Sequence, residues 1–160
     1  MSRNKWTVSA LRQFLEEEEN LLLRDNVKMH FTASAWVLNP SKNKVLMLYH
    51  NIYQSWSWSG GHADGEGDLL SVAMKEVKEE SGLVSLKPLS DSPISIEILG
   101  VQPHYKKQKY VSAHLHLNYT FLLHNTKEEK LKICPEENSK VGWLSPDEAV
   151  RSSTEAWMKP

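Results

Sequence analysis

Between Gly60 and Leu83 the chain reads GGHADGEGDLLSVAMKEVKEESGL, and the second half of that segment puts three carboxylates on one helical face. Leu69, Leu70, Ala73, Met74 and Val77 recur at helical spacing, which predicts an amphipathic helix with a buried stripe. Glu76, Glu79 and Glu80 stand at i, i+3 and i+4, so their side chains are neighbours beside that stripe. Like charges at those spacings cost about a few tenths of a kcal/mol per pair. A helix gains nothing from such crowding unless something positive sits in front of it. A hard divalent cation with oxygen ligands, most often magnesium, meets that need. Any fold for this chain must therefore bury one face of the helix and leave its acidic face open to an ion.

The residues before the helix support the same reading. Gly60-Gly61 makes a tight turn that lets backbone approach a ligand closely. Asp64-Gly65-Glu66-Gly67-Asp68 brings acids to the positive end of the helix dipole, and Ser81-Gly82 supplies a left-handed stop. With these positions in place the segment resembles the signature of the Nudix hydrolases. That signature is a glycine, five residues, a glutamate, seven residues, then arginine-glutamate-apolar-any-glutamate-glutamate-any-glycine-apolar. Gly61, Glu76, Val77, Glu79, Glu80, Gly82 and Leu83 match it at the right spacing. Two positions depart. The first glutamate of the signature falls on Gly67, between Glu66 and Asp68, and the arginine falls on Lys75, which cannot form a planar fork with a carboxylate.

At 160 residues the chain is long enough to bury a proper core. The resemblance covers roughly residues 28–150, and we divide the chain into an N-terminal helical extension over 1–27 and a Nudix domain over 28–160. Lys plus Arg number 19 against 20 for Asp plus Glu, so no global field points to nucleic acid or a membrane. The single cysteine, Cys134, excludes an internal disulfide and suits a reducing cytoplasm; with no neighbouring base to activate it, it reads as an ordinary thiol near a loop. The N-terminus is too charged for a signal peptide, and no apolar run approaches membrane-spanning length.

Residues 7–24 read as a helix with a stripe of Leu11, Phe14, Leu15, Leu21 and Leu22, and Glu16 to Glu19 form a solvated charge run. Phe31, Ala33, Ala35 and Val37 alternate with polar residues as a strand does, and Asn39 to Asn43 turn it into a hairpin partner over Val45–Tyr49. After the acidic helix, Ser85 to Pro93 reads as a polar loop. Strands follow over Ile94–Val101, Ser112–His124 and Val141–Leu144, and Ser145-Pro146-Asp147-Glu148 opens a last helix. Strands flanked by helices without a regular βαβ rhythm indicate an α/β fold with a mixed sheet. The Nudix resemblance implies the same α/β/α sandwich.

Three further groups are candidates for the site. His114 and His116 share one strand face, with His104 across the preceding connection. They could line a substrate cleft or form a plain strand face; zinc would need a fourth ligand or compact spacing that the sequence does not display. Lys106, Lys107 and Lys109 lie between Tyr105 and Tyr110, where lysines could hold phosphates and tyrosines stack on a base, or where a hairpin tip is simply solvated. Of Trp56 and Trp58, one packs in the core and the other could line the cleft mouth, with Trp58 our candidate.

The resemblance implies a magnesium-dependent hydrolase, with manganese as a possible substitute, that cleaves a pyrophosphate bond in a small nucleoside diphosphate-type substrate. It implies metal ligation by Glu76, Glu79, Glu80 and the carbonyl of Gly60, with Lys75 orienting Glu76. One glutamate would accept the proton from water, Glu76 first and Glu79 after it. An extra acid often comes from a late loop in the family, and Glu137 is the candidate. Two other readings stand beside this one. A non-catalytic nucleotide- or partner-binding domain would suit the Gly67 and Lys75 departures. An isopentenyl-diphosphate isomerase-like enzyme would need a cysteine upstream of the acidic helix, where this chain has none.

Overall fold

The computed structural model describes residues 3–158. In chain order the elements are α1 (Arg3–Glu17), β1 (Met29–Leu38), β2 (Val45–His50), β3 (Ser55–Ser57), β4 (Ser59–His62), α2 (Leu69–Ser81), β5 (Leu86–Pro88), β6 (Ser95–Val101), β7 (His104–Lys106), β8 (Lys109–Val111), β9 (His114–Asn125), β10 (Asn138–Leu144) and α3 (Pro146–Ser152). A single 3-10 turn follows at Ala156–Met158. Eight strands make one mixed sheet in the order β10-β2-β1-β9-β5, with β3 on β2, β4 on β1 and β6 on β9; β7 and β8 form a separate hairpin. Among the described residues only β1 and β9 run parallel. Helices cover both faces, so the architecture is the expected α/β/α sandwich.

Alternation along β1 explains how this sheet both builds a core and carries a cleft. Ala33, Ala35 and Val37 pack against Val72, Ala73 and Val77 of α2, together with Leu46, Phe121 and Leu123. Met29 and Phe31, on the same face, pack with Leu117 and with Leu11 of α1. On the opposite face Trp36 and Leu38 pack into a cluster with Val45, Met47 and Ala149 of α3. The remaining residues of that second face, His30, Thr32 and Ser34, line an open cavity instead.

The structure differs from the sequence reading in three local respects. The first helix stops at Glu17, not at residue 24, because Asn20 turns the chain through a left-handed conformation (φ 56°). Leu21 then sends its carbonyl to the amide of Phe31 (2.7 Å), so this leucine is buried by joining the sheet and not by extending a helix. The expected hairpin of the first two strands is closed only at its base, where Leu38 pairs with Val45, since β4 and β9 take the edges of β1 beyond it. The loop after α2 holds a short strand, β5, which pairs with the end of β9.

Candidate functional site

α2 begins where Asp68 accepts hydrogen bonds from the Ser71 amide (3.1 Å) and hydroxyl (2.7 Å), and it ends on Gly82 at φ 76°. Both stops are local, and they set the rotation of the helix about its axis. Val72, Ala73 and Val77 are thereby buried, and Glu76, Glu79 and Glu80 face a cavity of about 760 Å³. The three carboxylates do not share one environment. Glu79 is exposed, Glu76 is half-buried, and Glu80 is only 4% exposed.

Opposite this face β4 carries no side chains at Gly60 and Gly61. A Cβ at Gly61 would lie 2.2 Å from Cδ of Glu76, so the carboxylate rests on bare backbone. A Cβ at Gly60 would strike Cβ of Ser34 at 2.8 Å and the Ala33 carbonyl at 2.9 Å. Burial raises the pKa of Glu76, helped by Glu79. Burial pushes Glu80 further, to about 9, with the charges of Glu76 and Glu137 adding to it. Oε2 of Glu80 has no hydrogen-bond partner among the described residues. A crowded set of oxygen donors with one buried oxygen unpartnered is what a hard cation would complete, so these residues fit magnesium.

Glu137, in the turn before β10, also lines the cavity, 3.7 Å from Nζ of Lys106. Lys75 pairs with Glu79 one turn along the helix, at 3.8 Å. On the floor, Asn118 ties three strands together. Its Nδ2 donates to Ser34 Oγ (2.8 Å) and to Glu97 Oε2 (3.0 Å), and its Oδ1 accepts from Thr32 Oγ1 (2.9 Å). Buried and hydrogen-bonded in this way, the floor is polar but rigid.

Another part of the cavity lining is made of histidine. Parallel pairing sets His30 opposite His116, and β4 brings His62 opposite Thr32. With His114 these rings form one cluster, and all four line the cavity. Of the residues expected at the site, Gly60, Lys75, Glu76, Glu79, Glu80, Trp58, His104, His114, His116 and Glu137 all line this cavity. Trp58 also packs edge-on against Trp36, with ring centroids 5.6 Å apart. Lys107 occupies the tip of the β7–β8 hairpin at φ 49°, and it is Lys106 that lines the cavity. Sequence reasoning missed His30 and His62. The signal for His30 was present: His30, Thr32 and Ser34 alternate as a polar face, matching His114, His116, Asn118 and Thr120 on the other strand.

Comparison with known proteins places this geometry in a family. The family model described as the NUDIX domain matches residues 28–160. Among solved structures, a C. elegans Ap4A hydrolase in a binary complex is similar at 19% identity and TM-score 0.61, over 80% of this chain and 88% of its own. A NUDIX family hydrolase from Clostridium perfringens is similar at 20% identity and TM-score 0.57, over 74% of this chain and 83% of its own. The E. coli dihydroneopterin triphosphate pyrophosphohydrolase follows at 17% identity and TM-score 0.57, over 78% and 86%. At these identities the likeness is one of fold. Comparison with curated proteins gives no match. Among the described residues no helix is long and apolar enough to cross a membrane.

Proposed function

Because the chain belongs to the Nudix family, we propose that it is a magnesium-dependent hydrolase of the pyrophosphate bond in a nucleoside di- or triphosphate, or in a nucleoside diphosphate joined to another group. The observation that carries this reading is the acidic face of α2, where Glu80 is buried with an unpartnered oxygen beside Glu76 and the bare backbone of β4. A module that only bound a partner would have no use for three crowded carboxylates, two of them shifted toward the neutral form.

In this reading Glu76, Glu79, Glu80 and the carbonyl of Gly60 hold the cation. Held by these residues, magnesium, or manganese in its place, would supply charge neutralisation for the diphosphate oxygens and would make water a better nucleophile. Glu76 is the group assigned to take the proton from the attacking water, since its carboxylate rests on the bare backbone of β4 at Gly61, inside the cavity and beside the other acids. Lys75, paired with Glu79, trims the repulsion on the helix and orients the acids. Lys106 and Trp58 both line the cavity, the lysine as a partner for a phosphate and the tryptophan as an apolar ring beside it. The rigid floor of Thr32, Ser34 and Asn118 would position the substrate.

The test is a screen of nucleoside di- and triphosphates, dinucleoside polyphosphates and nucleotide sugars with magnesium, scored by phosphate or pyrophosphate released. The two activities named for the structural relatives above enter the screen as members of these classes. Turnover that disappears in Glu79→Gln plus Glu80→Gln is the expected result. Nucleotide binding without turnover anywhere in the panel would replace this reading with the non-catalytic one.

A further inference from the structure

The histidine wall has a chemistry that the acidic face does not use. Ring centroids of His30 lie 5.1 Å from those of His62 and His116, His62 lies 5.0 Å from His116, and His114 lies 4.9 Å from His30 and 5.0 Å from His116. One ring nitrogen from each of His30, His62 and His116 falls within 4.8 Å of the other two. Hydrogen bonds fix which nitrogens of His30 and His114 are bare. Nδ1 of His30 donates to the Asn26 carbonyl (3.0 Å), which leaves Nε2 as a lone pair. This ring is 5% exposed, and its Nε2 has no partner among the described residues. Nδ1 of His114 likewise donates to the Ser112 carbonyl (2.8 Å), so its Nε2 accepts from Nε2 of His116 (3.1 Å).

We propose that His30, His62 and His116 form a nitrogen-ligated site for a divalent d-block cation, zinc in the first place, separate from the acidic face of α2, with His114 as the positioning residue that holds His116. Three imidazoles leave the fourth position of a tetrahedral ion open toward the cleft. The Asn26 carbonyl on Nδ1 of His30 is an outer contact of the kind that orients metal-binding histidines. Nε2 of His114, accepting from Nε2 of His116, plays that part for a second ring, leaving Nδ1 of His116 for the ion. Zn–N distances of about 2.1 Å require the three nitrogens to close to about 3.4 Å, a movement within reach of side-chain rotation. An anion is the wrong occupant. Nδ1 of His30 already donates to a carbonyl, and its bare Nε2 is buried among the rings of His62 and His116, so the wall offers lone pairs to an electrophile. A hard ion is wrong as well, because nitrogen donors select borderline metals such as zinc, copper or nickel.

The test uses the full chain, stripped with a chelator and titrated with zinc in saturating magnesium, which keeps the glutamates occupied. One zinc per chain is expected by elemental analysis, with a rise in melting temperature. His62→Gln, at a half-exposed position, and His116→Asn should each weaken zinc at least hundredfold while circular dichroism stays native. His114→Gln should weaken it tenfold to hundredfold, the range for an outer contact. Glu79→Gln plus Glu80→Gln should leave zinc untouched, which separates this site from the proposed hydrolase centre whether or not that centre is active. Cobalt in place of zinc should give the visible absorption of a low-coordinate nitrogen site. Absence of bound zinc would overturn the proposal, and so would zinc that persists in His62→Gln or departs with the glutamates.

Discussion

The carboxylate of Glu76 rests directly on Gly61, so closely that a Cβ there would sit 2.2 Å from Cδ and 2.5 Å from Oε2. Its neighbour Gly60 is confined instead by Ser34 and the Ala33 carbonyl, on the adjacent strand. Two adjacent glycines therefore answer to different demands. The end of a glutamate side chain can swing away, whereas a strand backbone cannot. Gly61→Ala is expected to keep the fold and melting temperature while lowering kcat about a hundredfold, as Glu76 is displaced from a preorganised position. Gly60→Ala is expected to cost about 1–3 kcal/mol of overpacking, which thermal melting will register as a fall of several degrees. Equal loss of stability in both variants would refute the distinction.

Magnesium should be felt as stability before any substrate is known. A ligand that binds only the folded state stabilises it by about 2.7 kcal/mol at a hundredfold excess over Kd. For a chain of this size that is about 5–10 °C in melting temperature. Glu79→Gln plus Glu80→Gln should abolish the rise and leave the protein folded. A magnesium response of the same size in the double variant would take the metal away from α2.

Lys75 and Gly67 mark where the chain leaves its family's pattern. Lys75 spends its charge on Glu79, at 3.8 Å, as a point charge on a flexible stem. Gly67 has open space around it, with nothing within 4 Å of a Cβ, so a longer side chain fits. Lys75→Arg, alone or with Gly67→Glu, is expected to raise kcat several-fold with little change in KM or magnesium requirement. A flat or lower kcat would show a site tuned around the lysine, and Glu66 and Asp68 would then be the acids to replace next.

The metal-free protein should have a melting temperature that peaks near neutral pH. Glu80 keeps its proton in the folded state up to about 9, against an ordinary value of 4.5. Between those values the unfolded chain binds fewer protons than the folded one, so stability falls as pH rises. His62 and His116 work the other way. Folding lowers them from 6.5 to about 3 and about 2, so what they contribute is complete above 6.5 and is lost as pH falls below it. Two histidines outweigh Glu80 on the acid side. Glu80, the most strongly raised of the carboxylates, sets the decline on the alkaline side, with Glu76 and Glu155 raised in the same direction. Melting in chelator from pH 5 to 9.5 checks this: Glu80→Gln should remove the alkaline decline. A flat profile above pH 6.5 in the unaltered protein would contradict it.

What could be read from the sequence was what short stretches of chain determine. The bounds of α2 follow from Asp68 and Gly82, and its buried stripe and acidic face from spacing along one turn after another. The same logic found the start of α3 at Ser145-Pro146, which the structure closes as a capping box between Ser145 and Glu148. It failed at Asn20, where the apolar residues Leu21 and Leu22 continue a helical pattern that the backbone abandons. Features made by pairing were hidden for a different reason. His30 and His116 are register partners across a parallel pair, and no local pattern states which strands will meet. The choice of Lys106 over Lys107 turns on a two-residue hairpin tip, with Lys107 and Gln108 both at positive φ.

The parallel joining of β1 to β9 also sets an order of events in time. Met29 pairs with Leu115 and Leu38 with His124, so the centre of the sheet is assembled from segments separated by about half of the chain. Such long loops must close before their contacts repay the entropy, which slows folding. A nascent chain could form α2 early, but it could complete neither the floor of the cleft nor the histidine wall until β9 had left the ribosome. Until then β1, buried along most of its length in the finished protein, would show an unpaired edge to its surroundings. Refolding should therefore be slow and concentration-sensitive, and yield at low protein concentration should exceed yield at high.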